Sequence, residues 1–294
     1  MDTGSLLLQL AFGGLMTGAI YALVALGFNI VFKSTDAINF AQGEWVMAGG
    51  MIAAWLHQSM HLPLPALVPM AVACVGLLGL LSERLSVYPL REPGPMTVTL
   101  VTIGFAITTK ALVMLALGKQ PMSLPSFSGT EPIAIGGATL HPQALWIVGL
   151  MFAVMVGVHF FFERTLLGRA MKAAAADREA AAIVGINVQR TVMWSFMLAA
   201  LVGAVAGVII TPITLTSFNA GTVLGFKGFS AAMLGGLGNL PGALLGGLLL
   251  GLLESFSAAF ISSKYKDAVA FLVLLFLLFY RPSGLLGRAS ITKV

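Results

Sequence analysis

Charge is nearly absent over long reaches of this chain, and that constrains its fold more than any motif does. No Lys or Arg precedes Lys33, and Ala268–Tyr280 is apolar at every position. Only 9% of the 294 residues are charged and 58% are hydrophobic, with a mean hydropathy of +0.97. A soluble domain keeps roughly a quarter of its residues charged. Many of the apolar runs reach the ~20 residues that a helix needs to cross a bilayer. In lipid the backbone must satisfy its own hydrogen bonds, which leaves helices or a closed barrel. The long runs lack the alternation of a barrel strand. The sequence therefore predicts an all-α polytopic membrane protein, a single membrane domain over residues 1–294.

Spans are expected at about 6–32, 41–58, 64–82, 96–117, 142–162, 191–211, 240–256 and 267–281, with a shorter apolar piece at about 222–236. Five of the sixteen Lys and Arg residues, Arg164, Arg169, Lys172, Arg178 and Arg190, fall in the stretch 163–190 with Glu163, Asp177 and Glu179. Such a cluster between apolar spans marks a cytoplasmic loop. Propagated backwards, Lys33 and 83–95 fall inside, 58–63 and 118–141 fall outside, and the N-terminus is external. Forwards, eight plain spans would leave Arg281, Arg288 and Lys293 outside, against the positive-inside rule. The conflict disappears if 222–236 dips in from outside and 240–256 returns, a re-entrant or broken helix that makes the C-terminus cytoplasmic. The turn this needs contains Gly235, Gly236, Asn239, Pro241 and Gly242, and glycine permits the sharp bend. Without a basic start, the first apolar run reads as an anchor rather than a cleaved signal.

No catalytic constellation is present. His57, His61, His141 and His159 lie near span ends with no ligand spacing to Cys, Asp or Glu. There is no nucleophile elbow, no paired-histidine zinc motif and no phosphate-binding P-loop. The net charge of +5 gathers at span ends and forms no nucleic-acid patch. Cys74, the one cysteine, sits in an apolar run and reads as a small buried hydrophobe.

The polar residues inside apolar spans each need an account. Asn39, Gln42 and Glu44 open the second span. They can line a polar constriction, or they can cap and anchor that helix. Lys110 lies about eight residues from the outer end of its span, roughly 12 Å deep. It can meet a substrate carboxylate, or pair with Glu44 or Glu254, or mark an early helix end. Lys227 and Glu254 stand on either side of the glycine-rich turn, placed to tie the re-entrant piece to the span after it. Two polar, glycine-broken segments, one in each half, suit a pathway along a bundle axis and equally suit helix ends. Gly246, Gly247 and Gly251, and Gly203 with Gly207, allow close helix approach. In the charged loop, Asp177 is placed to cap a short helix over 178–184, with Gly185 just past it, and Ala-rich 169–176 is helical by propensity.

Five blocks carry a resemblance that spans essentially the whole chain: GAIYALVALGFNIVFK with INFAQGEWVMAGG in 18–50, ERLSVYPLR at 83–91, GRAMKAAAADREAAAIVGINVQR at 168–190, GFKGFSAAMLGGLGNLPGALLGGLLLGLLE at 225–254, and RPSGLLG at 281–287. On these the chain resembles the permease subunits of high-affinity branched-chain amino acid ABC importers, the LivH type. The resemblance implies a multi-pass protein of the bacterial inner membrane, paired with a second, similar permease. It also implies two ATPase subunits that use ATP and Mg, and a periplasmic binding protein that delivers cargo; this chain would bind no cofactor itself. It makes Arg169, Lys172, Asp177, Arg178, Glu179 and Gly185 the ATPase-coupling segment. Asn39, Gln42, Glu44 and Lys110 become pathway residues, and the Gly235–Gly242 turn an element within the membrane beside them. Gln42 stands where the family usually shows His, and Lys110 where Gln is expected. The second departure widens the cargo to related amino acids, amides, urea or aromatic carboxylates. An ion-coupled secondary transporter is the alternative of another class, but few paired membrane carboxylates are on offer. An intramembrane enzyme lacks its reactive pairs.

Overall fold

The computed structural model describes residues 3–90 and 94–287; Arg91, Arg288 and Lys293 of the sequence reading lie outside them. Eleven helices account for most of the described residues: α1 (Thr3–Thr35), α2 (Gln42–Met60), α3 (Leu64–Ser82), α4 (Pro95–Leu117), α5 (Pro142–Arg164), α6 (Leu166–Ala176), α7 (Arg178–Ile183), α8 (Val188–Thr214), α9 (Ala220–Gly235), α10 (Leu240–Ser257) and α11 (Lys266–Tyr280). Single π-helical turns extend α3 over Glu83–Val87 and α10 over Ala258–Ser262. Among the described residues, six helices are long and apolar enough to cross a membrane: α1, α3, α4, α5, α8 and α10. The other two expected spans are α2, whose first turn carries Gln42 and Glu44, and α11, which is only 15 residues long.

Burial sorts these helices into an inner and an outer set. The apolar window of α1 is 78% buried and that of α8 67%, against 22% for both α4 and α5. α1 is therefore the hub, and the outer helices present Leu100, Ile107, Leu115 and Phe160 outward, the surface that lipid covers. The hub is tight because glycines replace side chains at its seam. Gly14 and Gly18 of α1 face Gly247, Leu248, Gly251 and Leu252 of α10, and a methyl on Gly18 would lie 2.8 Å from the Leu248 Cα. Gly203 and Gly207 of α8 pack on α2 in the same way, against Gln42, Trp45 and Val46. Small residues permit this approach where lipid gives helices no hydrophobic reason to associate.

Cys74 departs from expectation: it is exposed. α3 buries only one stripe, which includes Val75, Gly76 and Gly79, the two glycines lying against α8. An apolar residue of a span can face lipid instead of protein, which the hydropathy pattern alone does not distinguish. The loop between α4 and α5 also holds more structure than a plain external loop. Ile133–Ile135 (β1) pairs antiparallel with Ala138–Leu140 (β2), and Gln9 exchanges hydrogen bonds with the Thr139 backbone at 2.7 and 3.0 Å.

Long-range bonds define the two ends of the bundle. The start of α1 meets the β hairpin through Gln9, and Gln58 at the end of α2 donates to the Ser123 carbonyl at 3.2 Å. At the other end Arg178 reaches the Thr35 carbonyl, and Asn239 reaches the Leu286 carbonyl. The segment 163–190, the end of α1 and residues 281–287 therefore share one face of the molecule.

Candidate functional site

The most unusual backbone is the link between α1 and α2. At Asp36, with φ of +53°, the chain reverses, then runs back along α4. The Ile38 N–H donates to Thr99 Oγ1 and the Phe40 N–H to Thr102 Oγ1, both at 3.2 Å. α2 consequently begins beside Gly27, whose missing side chain makes room for Gln42. Gly27 precedes Thr35 by eight residues, so the first turn of α2 lies roughly 12 Å inside the bundle.

That first turn concentrates unsatisfied polarity. Asn39 Oδ1 accepts from the Ala41 N–H at 3.1 Å, and Gln42 Nε2 donates to the Ala199 carbonyl at 3.1 Å. Asn39 thus bonds locally to the residue before α2, while Gln42 fastens α2 to α8. Yet Asn39 Nδ2, Gln42 Oε1, Glu44 Oε2 and Trp45 Nε1 are all buried without a partner; Glu83 Oε2 is the only other such side-chain atom among the described residues. Buried polar atoms are nearly always bonded, so a cluster of exceptions marks a place with work other than packing.

α9 also begins inside. After α8, Thr216 pairs with Met122 backbone to backbone at 2.8 Å in both directions, and its hydroxyl lies near Gly50, midway along α2. The start of α9 then lies against the start of α2, with Gly221 touching Gly43 and Glu44. Here Thr222 Oγ1 donates to Glu44 Oε1 at 3.1 Å, and Lys110 Nζ donates to Thr222 Oγ1 at 3.4 Å. The Lys110 ammonium also sits 5.8 Å from the centre of the Phe218 ring. Lys110 and Glu44 are therefore joined through a hydroxyl rather than in a direct ion pair. Glu44 is only 5% exposed, whereas Thr222 is on the exposed face of α9 with Val223 and Phe226.

Glu254 takes no part in this cluster. Its Oε1 receives Lys227 at 2.6 Å and Lys266 at 3.3 Å, its Oε2 accepts from the Tyr21 hydroxyl at 2.7 Å, and Lys227 also reaches Asp267 at 2.8 Å. Lys227 and Glu254 do tie α9 to α10, as their placement in the sequence suggests. The ties from Tyr21, Lys266 and Asp267 were not legible there.

Between α9 and α10 the chain turns through Gly236 and Gly238, with φ of +106° and +77°. Gly235 and Gly242 lie backbone to backbone, and Asn239 Oδ1 caps α10 by accepting from the Gly242 N–H at 3.0 Å. Pro241 stands in the first turn of α10, where its missing N–H costs nothing. Asn29 holds the turn, accepting from the Gly238 N–H at 3.1 Å and donating to the Asn239 carbonyl at 2.9 Å. The turn is thus level with the last two turns of α1, at the Lys33 end of the bundle.

The segment 163–190 is two capped helices. Thr165 Oγ1 accepts from the Gly168 N–H at 2.9 Å to start α6, and Asp177 Oδ1 accepts from the Ala180 N–H at 2.9 Å to start α7. Gly185, at φ +86°, ends α7 with the paired bonds Gly185 N–H to Ala182 carbonyl (3.0 Å) and Ile186 N–H to Ala181 carbonyl (2.9 Å). Lys172 pairs with Glu163 at 2.7 Å, and Arg169 and Glu179 lie exposed. Ile183 and Val184, 85% and 74% exposed, crown the tip of α7. Charge patterning pointed to the charged side chains and passed over this apolar tip.

Residues 10–278 match the family described as branched-chain amino acid transport system, permease component. The chain is 34% identical over 302 aligned residues to the high-affinity branched-chain amino acid transport system permease protein LivH of Escherichia coli K12, covering 98% of this chain and 97% of that one. Identity to the corresponding permease protein BraD of Pseudomonas aeruginosa is 35% over 300 residues, 98% of each chain. A more distant relative is the ribose import permease protein RbsC of Haemophilus influenzae, 24% identical over 268 residues, with 87% of this chain and 80% of that one covered.

Proposed function

The chain belongs to the family of branched-chain amino acid transport permease components, and we propose from that premise that it is the membrane half of an ATP-driven importer. It works beside a second, similar permease. Two ATPase subunits below supply the ATP and Mg chemistry, and a binding protein delivers cargo from above. Eight helices cross the inner membrane, α1 to α5, α8, α10 and α11, with α9 as the returning half-span. The described basic residues support the orientation. Eight of the thirteen described Lys and Arg residues, Lys33, Arg84, Arg164, Arg169, Lys172, Arg178, Arg190 and Arg281, belong to the segments at the end where Arg178 meets Thr35, which the positive-inside rule makes cytoplasmic.

The observation that carries the pathway is the meeting of two helix starts inside the bundle. α2 and α9 both begin within it, and their first turns meet at the Lys110–Thr222–Glu44 chain. Interrupted helices of this kind present polar groups at membrane depth only where they line a cavity or site. Asn39, Gln42, Glu44 and Lys110 then serve the passage, the Gly235–Gly242 turn acts near its cytoplasmic exit, and α6–α7 dock on the ATPase. Cargo is a branched-chain or related amino acid. Lys110 taken alone favours an anionic cargo such as an aromatic carboxylate, but Glu44 offsets it through one hydroxyl. A site with both charges suits a zwitterion better.

Uptake of labelled leucine by cells expressing the complete set of subunits tests the reading. ATP-dependent import that survives a protonophore supports it, and import that collapses with the proton gradient returns the choice to an ion-coupled transporter.

A further inference from the structure

One buried charged group remains unexplained by the pathway. Glu83 opens the π-helical turn after α3, is 1% exposed, and leaves Oε2 without a partner. Its neighbour Arg84 does not serve it directly, since that guanidinium lies 3.8 Å over the Tyr88 ring. Beside Glu83 is a cleft of about 530 Å³. Val87, Val98 and Val192 wall it on the bundle side, and Arg178 and Ala182 of α7 on the other. α7 therefore stands off the bundle across a space of mixed lining, with Glu179, Tyr88 and Gln189 on it beside the valines. Arg178 spans that space at one point only, with Nη2 donating to the Thr35 carbonyl at 3.1 Å. No ion pair joins Arg178 to Glu83 among the described residues.

We propose that Glu83 is the second seat of Arg178. As the transport cycle proceeds, α7 moves into the cleft and Arg178 passes from the Thr35 carbonyl to the Glu83 carboxylate. Glu83 is then a positioning residue for coupling, an inference that rests on reading α6–α7 as the ATPase-docking segment. The chemistry matches on both sides. An orphaned buried carboxylate oxygen is costly, and a guanidinium is the group best suited to satisfy it. The small Ala182 and the valine walls leave room for the movement, and Glu179, the other charged residue of α7 on the cleft, is exposed and stays at its solvent edge. At rest the outer seat is retained because reaching Glu83 strips Arg178 of water, and the ATPase supplies the push. Two seats give α7 two discrete positions, which a switching element needs and a continuously yielding loop lacks.

The test compares cargo imported per ATP hydrolysed by complete complexes in proteoliposomes, normalised to the ATPase that each complex retains. Glu83→Gln lowers that ratio at least tenfold, whereas Glu83→Asp keeps the charge and retains most of it. Arg178→Gln lowers it similarly, and the double variant Glu83→Gln/Arg178→Gln is no worse than the worse single, because one contact is removed only once. Ala182→Leu touches neither charge but fills the cleft, and it also lowers the ratio. A wild-type ratio in Glu83→Gln, or losses that multiply in the double variant, overturns the proposal. Should Glu83→Gln fail to assemble, a wild-type ratio in Ala182→Leu overturns it independently. A chain that retains no ATPase at all sinks the functional reading, and this inference with it.

Discussion

Thr222→Val is the sharpest probe of the pathway cluster. The two side chains are nearly isosteric, so the change removes a hydroxyl and leaves no cavity. Two hydrogen bonds go, and they are unequal. The bond from Lys110 is long at 3.4 Å and reaches an exposed hydroxyl, so its loss costs little. The bond to Glu44 is 3.1 Å, and Glu44 is 5% exposed with its other oxygen already unpartnered. A hydrogen bond to a charged group is worth about 1.5–3 kcal/mol, so the Glu44 side sets an expected loss of about 2 kcal/mol. That equals roughly 30-fold in an equilibrium constant if the contact is present in only one conformation. The assay is leucine import by the reconstituted complex, alongside the half-life of the detergent-solubilised complex on heating, because large membrane assemblies unfold irreversibly. Thr222→Ser restores the hydroxyl and behaves as wild type. If Thr222→Val matches wild type in both import and half-life, or if Ser fails to rescue, the chain of bonds does not carry the function assigned to it.

Three other outcomes follow from the geometry. Asp177→Ala removes the cap of α7 at a cost of about 1 kcal/mol, and less ATPase should co-purify with the tagged permease; Asp177→Asn keeps an accepting oxygen and should retain it. Lys227→Met leaves Glu254 with Lys266 and Tyr21 alone, and breaking a buried pair in this way costs about 3–5 kcal/mol when nothing replaces it. The remaining lysine at 3.3 Å places the expected loss at the lower end of that range, read as a shortened half-life on heating, and an unchanged half-life would contradict the pairing. Lys110→Gln should weaken import of leucine relative to an uncharged amide, measured by competition, whereas an unaltered cargo preference would remove Lys110 from the recognition site.

What was legible in the sequence is what is local. The caps at Asp177 and Gly185 involve residues within a few positions of each other, and both were readable from spacing. So was the glycine turn at 235–242, because the need for positive φ leaves a mark in composition. The pairing of Lys227 with Glu254 was legible for a related reason, since a single turn separates their helices. The partner of Lys110 was not. Thr222 lies 112 residues away, and nothing about a threonine in an apolar stretch announces a bond to a lysine in another helix. The depth at which α2 starts was equally hidden. A hydropathy window sees a polar interruption at 33–43 but cannot tell a loop outside the bundle from one that folds back into it. Cys74 went astray for the complementary reason, because lipid and protein interior select the same side chains. The apolar tip of α7 at Ile183 and Val184 looked like ordinary helix filler until the structure left it uncovered.

The clasp on the glycine turn has a consequence for how the chain is made. The last carbonyls of α9 belong to Leu234 and Gly235, and they accept from the Leu285 and Leu286 N–H groups at 2.9 and 3.0 Å. Helix-end carbonyls have no partner within their own helix, and Leu234 and Gly235 are buried where water cannot stand in for one. A helix that opens the last quarter of the chain is thus finished by residues synthesised some fifty positions later. The α9–α10 hairpin can enter the bilayer during translation, but it cannot close its own end until residues 285 and 286 have been added. Closure of the half-span is therefore a late event that waits on Leu285 and Leu286. A chain truncated just past Tyr280 would hold every long span with its returning helix still unfastened.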